Sequence, residues 1–136
     1  MEKPWYKKML VETYFNLHKK LFSVRACEGP DKGKVIAHRK AVCLLNVKFK
    51  VSEAGRQRVL KEKRKNVHAV MRGHWIRNQT KAKILKDKVL RQGADFTYNP
   101  YCMETFCVGI GEDQKPLHTA LAVYVNQRKG EKLVLV

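Results

Sequence analysis

Cys43-Leu44-Leu45-Asn46-Val47-Lys48-Phe49-Lys50-Val51 sets five apolar residues, Cys43, Leu45, Val47, Phe49 and Val51, at a strict spacing of two, with Asn46, Lys48 and Lys50 between them. Side chains of a strand alternate between two faces, so this period predicts a half-buried β-strand. The pattern then changes. Ser52 carries an oxygen that can accept from the unpaired N–H groups of a first helical turn, Glu53 suits the positive end of a helix, and no proline interrupts residues 54–65, so a helix is expected there. At 100° per residue Val59 and Leu60 share one side of it, while Arg58, Lys61 and Lys65 form a stripe opposite. Arg56 and Lys63 fall near the apolar side, where their alkyl stems can cover the edge of a core.

Working outward, residues 10–16 and 20–26 read as a hairpin of strands around a short Leu17-His18-Lys19 connection. Glu28-Gly29-Pro30-Asp31-Lys32-Gly33 stacks turn formers and releases into a short strand at 34–38. On the other side, residues 67–76 alternate again, with Gly73 marking a bulge or bend. Residues 80–92 predict a second helix, because Ala82, Leu85 and Val89 share a face and Gly93 occupies a natural stop position. Four more strands are expected at 94–98, 104–110, 117–126 and 132–136. The fold class that follows is α+β, a curved antiparallel sheet or small open β-barrel with two basic helices, in a single domain over residues 1–136.

Charge supplies the functional signal. The chain of 136 residues carries a formal net charge of +17, and residues 56–91 alone hold thirteen Lys and Arg against two acids, Glu62 and Asp87. Confining so many like charges costs self-repulsion and concentrates polyanions near the surface, so the expected partner is nucleic acid, RNA or DNA. The candidate contacts are Arg56, Arg58, Lys61, Lys63, Arg64, Lys65, His68, Arg72, Trp75, Lys81, Lys83, Lys86, Lys88 and Arg91. Trp75 enters as a ring on which a splayed base can stack, against the plainer reading of a tryptophan closing the rim of the sheet.

Several chemistries lack their residues. There is no Cys-x-x-Cys, no His-Glu-x-x-His and no Asp-x-Asp cluster for a metal, and Gly109-Ile110-Gly111 lacks the further glycine and following helix of a phosphate loop. No cofactor and no metal are expected. No apolar run approaches the ~18 residues of a membrane span, so no membrane partner is expected either. The irregular spacing of Cys27, Cys43, Cys102 and Cys107 suggests thiols, most of them packed as small hydrophobes. A metal-independent ribonuclease needs only a base, an acid and cations on the phosphate, and Lys65, His68, His18 and Tyr14 offer such a set. That is the enzymatic alternative; a third is an inhibitor or sponge docking on an acidic host protein or a nucleotide signal.

The segments Tyr14-Phe15-Asn16-Leu17-His18-Lys19-Lys20, Gly33-Lys34-Val35-Ile36-Ala37-His38, Gly55-Arg56 through Arg64-Lys65-Asn66-Val67-His68-Ala69, and Tyr98-Asn99-Pro100-Tyr101 resemble small basic proteins encoded by tailed bacteriophages. The resemblance implies a phage origin and an infected bacterial cytoplasm, and carries over no catalytic residue. The basic segment 81–91 lies outside it. The leading expectation is a non-enzymatic phage protein that binds nucleic acid mainly through phosphates, with low sequence specificity.

Overall fold

The computed structural model describes residues 9–16, 19–62, 69–77, 79–98, 106–109, 112, 114–126 and 131–135. Its strands are β1 (Met9–Asn16), β2 (Leu21–Ala26), β3 (Val35–Arg39), β4 (Ala41–Val51), β5 (Ala69–Trp75), β6 (Ala94–Tyr98), β7 (Phe106–Val108), β8 (Lys115–Pro116), β9 (Thr119–Asn126) and β10 (Glu131–Leu135). Helix α1 (Glu53–Glu62) follows β4, and α2 (Gln79–Gln92) follows β5. The strands join in the order β3-β2-β1-β5-β4-β9-β10-β6-β7-β8, each pairing antiparallel. The class is therefore α+β, and the sheet keeps two ends, β3 and β8, rather than closing into a barrel. No helix of the described residues is long and apolar enough to cross a membrane.

Strand β4 lies at the centre and differs from its expected form. A strict period of two would place Cys43, Leu45, Val47, Phe49 and Val51 on one face. Instead Val42, Leu44 and Val47 join the main core, with Phe49 packed against it, while Cys43 and Leu45 belong to a separate cluster with Ala82, Leu85 and Val89 of α2. The face changes at Asn46, whose φ of 51° is left-handed, a conformation that asparagine tolerates better than most residues. There the register with β5 slips by one residue between Leu45 and Lys48, the mark of a β-bulge.

Gly73 of β5 sits opposite this bulge. A Cβ on it would lie 3.0 Å from the Leu45 carbonyl oxygen and 3.0 Å from Val47 Cγ2, so the expected bend at Gly73 is a close approach between strands, with the extra residue on β4. Gly73→Ala should cost about 1–3 kcal/mol through overpacking. Chemical denaturation checks this, and an unchanged midpoint contradicts it.

The main core brings together strands that are not neighbours in the sheet. The Phe49 ring of β4 meets Phe96 of β6 at 5.6 Å and Phe106 of β7 at 4.8 Å between centroids. Phe15 and Phe22 stack edge to face at 5.3 Å, and an apolar cavity of ≈ 60 Å³ lies between these rings and Phe96, Tyr98 and Phe106. Burial of large aromatic and β-branched side chains is the dominant favourable term for such an interior.

Both helices follow from their local sequence. Ser52 caps α1 as expected, its Oγ accepting from the Gly55 N–H at 3.2 Å. The helix starts at Glu53, directly after that cap, and residues 63–65 of its expected extent lie outside the described residues. On α2, Val89 is fully buried and Ala82 and Leu85 pack beside it, as their spacing predicts. Gly93 ends α2, donating its N–H to the Val89 carbonyl at 2.7 Å.

Candidate nucleic-acid interface

Packing through Ala82, Leu85 and Val89 fixes the rotation of α2 and turns its cations outward. Lys81, Lys83, Lys88 and Arg91 are exposed and Lys86 is half-buried. The first turn contains no acidic residue. Asp87 is the sole carboxylate in the sequence of the helix, against five cations.

One flank of α2 borders a groove of ≈ 470 Å³, lined among others by Arg39, Trp75, Arg77, Lys83, Lys86, Asp87 and Tyr124. Among the described residues four cations thus face one acid. Three of the cations are carried on aromatic rings: the guanidinium carbons of Arg39 and Arg77 lie 5.6 and 5.5 Å from the Trp75 centroid, and Lys86 Nζ lies 5.4 Å from that of Tyr124. The negative face of a ring attracts such a cation and restricts where it points.

This geometry bears on the role expected of Trp75. It is 6% exposed and belongs to the main core, with two guanidinium groups near its ring, so little of the ring is open to a base. It is the rim tryptophan of the plainer reading, and it also supports Arg39 and Arg77. Sequence reasoning missed those two arginines. Arg39 ends β3, outside the dense basic block, and is brought to Lys83 and Lys86 by tertiary structure; Arg77 lies within the block, between β5 and α2, apart from the runs of lysine on either side.

The remaining candidates divide by position. Arg58 and Lys61 are exposed on α1. Arg56 is turned inward, its side chain 12% exposed and paired with Glu53 at 3.2 Å, consistent with the apolar side on which its spacing placed it. Arg72 is half-buried in β5, opposite Glu12 of β1 and Lys48 of β4. Glu12 is bound in turn to Arg25 at 2.7 Å, and among the described residues Arg25, Arg72 and Lys50 border grooves shared with that carboxylate. Lys63, Arg64, Lys65 and His68 lie outside the described residues.

Of the set considered for ribonuclease chemistry, Tyr14 is half-buried on β1, and His18, Lys65 and His68 lie outside the described residues. The hydroxyl–imidazole contact of Ser23 Oγ with His38 Nδ1, at 3.1 Å, is structural. Ser23 is fully buried and also accepts from Asn16 Nδ2 at 3.2 Å, which leaves no path for a substrate to its oxygen.

Cys43 lines the groove beneath α2. Burial pushes its thiol up from an ordinary 9.0 to about 12, with Lys86 pulling weakly the other way. Because the folded state holds the proton more tightly, the stability from this group is complete below pH 9 and is lost as pH rises towards 12. At pH 8 the folded protein should therefore leave Cys43 unalkylated by iodoacetamide, while denatured chain reacts; mass spectrometry of the modified peptides decides it. Cys107 is buried as well and Cys27 is half-buried, in keeping with small hydrophobic packing.

A protein-family profile described as the Mycobacterium phage L5 gene 82 protein matches residues 5–132. The chain is similar to the gene 82 protein of Mycobacterium phage L5, with 39% identity over 106 residues that cover 74% of this chain and 78% of that protein. The profile match runs through segment 81–91, so the second basic element lies within the likeness, contrary to the narrower resemblance seen in short motifs. No solved structure gives a significant match.

Proposed function

This chain belongs to the Mycobacterium phage L5 gene 82 protein family, and from that premise we propose that it is a phage-encoded protein that binds nucleic acid through phosphate contacts, without enzymatic activity. The observation that carries this reading is the groove beside α2, where Arg39, Arg77, Lys83 and Lys86 converge on one acid. Guanidinium groups present several donors in a plane that matches phosphate oxygens, and cations already held on rings lose less freedom on binding. The exposed lysines of α2 extend the cationic surface along the helix.

Contacts of this kind read backbone charge rather than base edges, so sequence specificity is weak. Single strands and duplexes of either RNA or DNA share the phosphates. The aromatic rings of the groove serve the cations, which removes the usual device for favouring unstacked bases. The finer picture of the fold, a curved sheet displaying basic helices, belongs to the same proposal, as does action in the cytoplasm of the infected bacterium.

The test is binding of labelled RNA and DNA across a salt series. Affinity should fall linearly in log–log form, with a slope of about −0.7 per phosphate contacted on a single strand or about −0.9 on duplex DNA. Affinity indifferent to salt, or no binding at low salt, rejects the proposal.

A further inference from the structure

The other flank of α2 has a different character. A second groove, of ≈ 220 Å³, is lined by Leu45, Ile76, Ile84 and Leu85, with Lys81 and Lys88 among its walls. Ile84 is 64% exposed, more than any other large hydrophobic side chain among the described residues. Packing within the described chain does not explain it, since the core face of α2 is formed by Ala82, Leu85 and Val89. An aliphatic surface left in water beside an apolar floor is a docking feature.

We propose that this groove docks an acidic amphipathic helix of a partner protein, with an apolar side chain set against Ile84, Leu85, Leu45 and Ile76 and carboxylates over Lys81 and Lys88. The two lysines are seven residues apart on α2, about two turns or ~10 Å along the axis. That spacing matches carboxylates two turns apart on a partner helix, flanking apolar anchors at i, i+3, i+4 and i+7. Charge selects the occupant. A second copy of this chain would bring another +17 against the same lysines, and nucleic acid gains little from burying isoleucine. An acidic helix satisfies both the apolar floor and the cationic walls, and mutual charge speeds its arrival.

The probe is a fluorescein-labelled acidic peptide with Leu at i, i+3, i+4 and i+7 and Glu at most other positions, read by anisotropy against the full chain. A scrambled peptide of identical composition is the control. The peptide should bind more tightly than its scramble. Ile84→Gln keeps the charge and helix propensity at an exposed position, and should weaken peptide binding about tenfold or more while RNA affinity changes by less than about twofold. Circular dichroism confirms that the variant is folded.

Equal binding of peptide and scramble overturns the proposal, because attraction would then be charge alone. Unchanged peptide binding by Ile84→Gln overturns it as well. So does an equal loss of RNA binding, which would make the face part of the nucleic-acid surface, or a dimer in sedimentation equilibrium that Ile84→Gln dissolves, which would make the occupant a second copy.

Discussion

Gly93→Ala is expected to destabilise the protein by about 3 kcal/mol or more, a large share of the roughly 5–15 kcal/mol typical of a domain. The expectation rests on geometry at the end of α2. A Cβ on Gly93 would overlap the Val89 carbonyl oxygen and come within 2.8 Å of the Val134 carbonyl oxygen on β10. Both obstacles are backbone, so no rotamer change relieves them. Either the hydrogen bond from the Gly93 N–H to Val89 opens, or β10 moves away from the helix that it supports. Urea denaturation reads the loss, and a change below about 1 kcal/mol would show that the chain has room for a methyl group at this turn.

Trp75→Ala is the second large effect, and it acts on stability and binding together. Removing a core tryptophan typically costs about 3–5 kcal/mol, and Trp75 packs in the main cluster with Val11, Leu44 and Met71. The same change removes the ring on which Arg39 and Arg77 rest. Trp75→Phe separates the two consequences, since it keeps an aromatic face at lower cost to packing. The expected result is that Trp75→Phe retains most RNA affinity, whereas Trp75→Ala, measured below its lowered unfolding transition, binds several-fold more weakly. Equal affinity of the two folded variants would show that the ring does not organise the arginines.

The sequence is most legible where one face of an element meets the core. Ala82, Leu85 and Val89 on α2, the Ser52 cap and the stop at Gly93 all follow from spacing and local hydrogen-bond need. Strand β4 is legible in its existence but not in its facing. Residues 41–45 form an unbroken apolar run, Ala41, Val42, Cys43, Leu44 and Leu45, and such a run signals burial on both sides more than alternation. Asn46 is the available warning, because an asparagine between apolar runs tolerates the left-handed backbone that a bulge requires.

The candidate site is legible as charge but not as a place. Lys83 and Lys86 stand out in sequence because they share a helix with other cations. Arg39 does not, because it stands where β3 passes into β4 and meets Lys83 and Lys86 through the packing of β4 beside α2 and its own contact with Trp75. Its signal is a distance, and single-sequence patterns carry no distances. Trp75 is likewise visible as an aromatic within a basic region, yet whether a ring supports cations or bases depends on which of its faces are covered.

The claim that the groove cations hold phosphates is tested most directly by neutralising them as a set. In Arg39→Gln/Arg77→Gln/Lys83→Gln/Lys86→Gln, the slope of log affinity against log salt for single-stranded RNA should become shallower than wild type by about 3, at ~0.7 for each phosphate that no longer meets a cation. A variant that is folded and keeps the wild-type slope would place the phosphates elsewhere on the molecule and contradict the account.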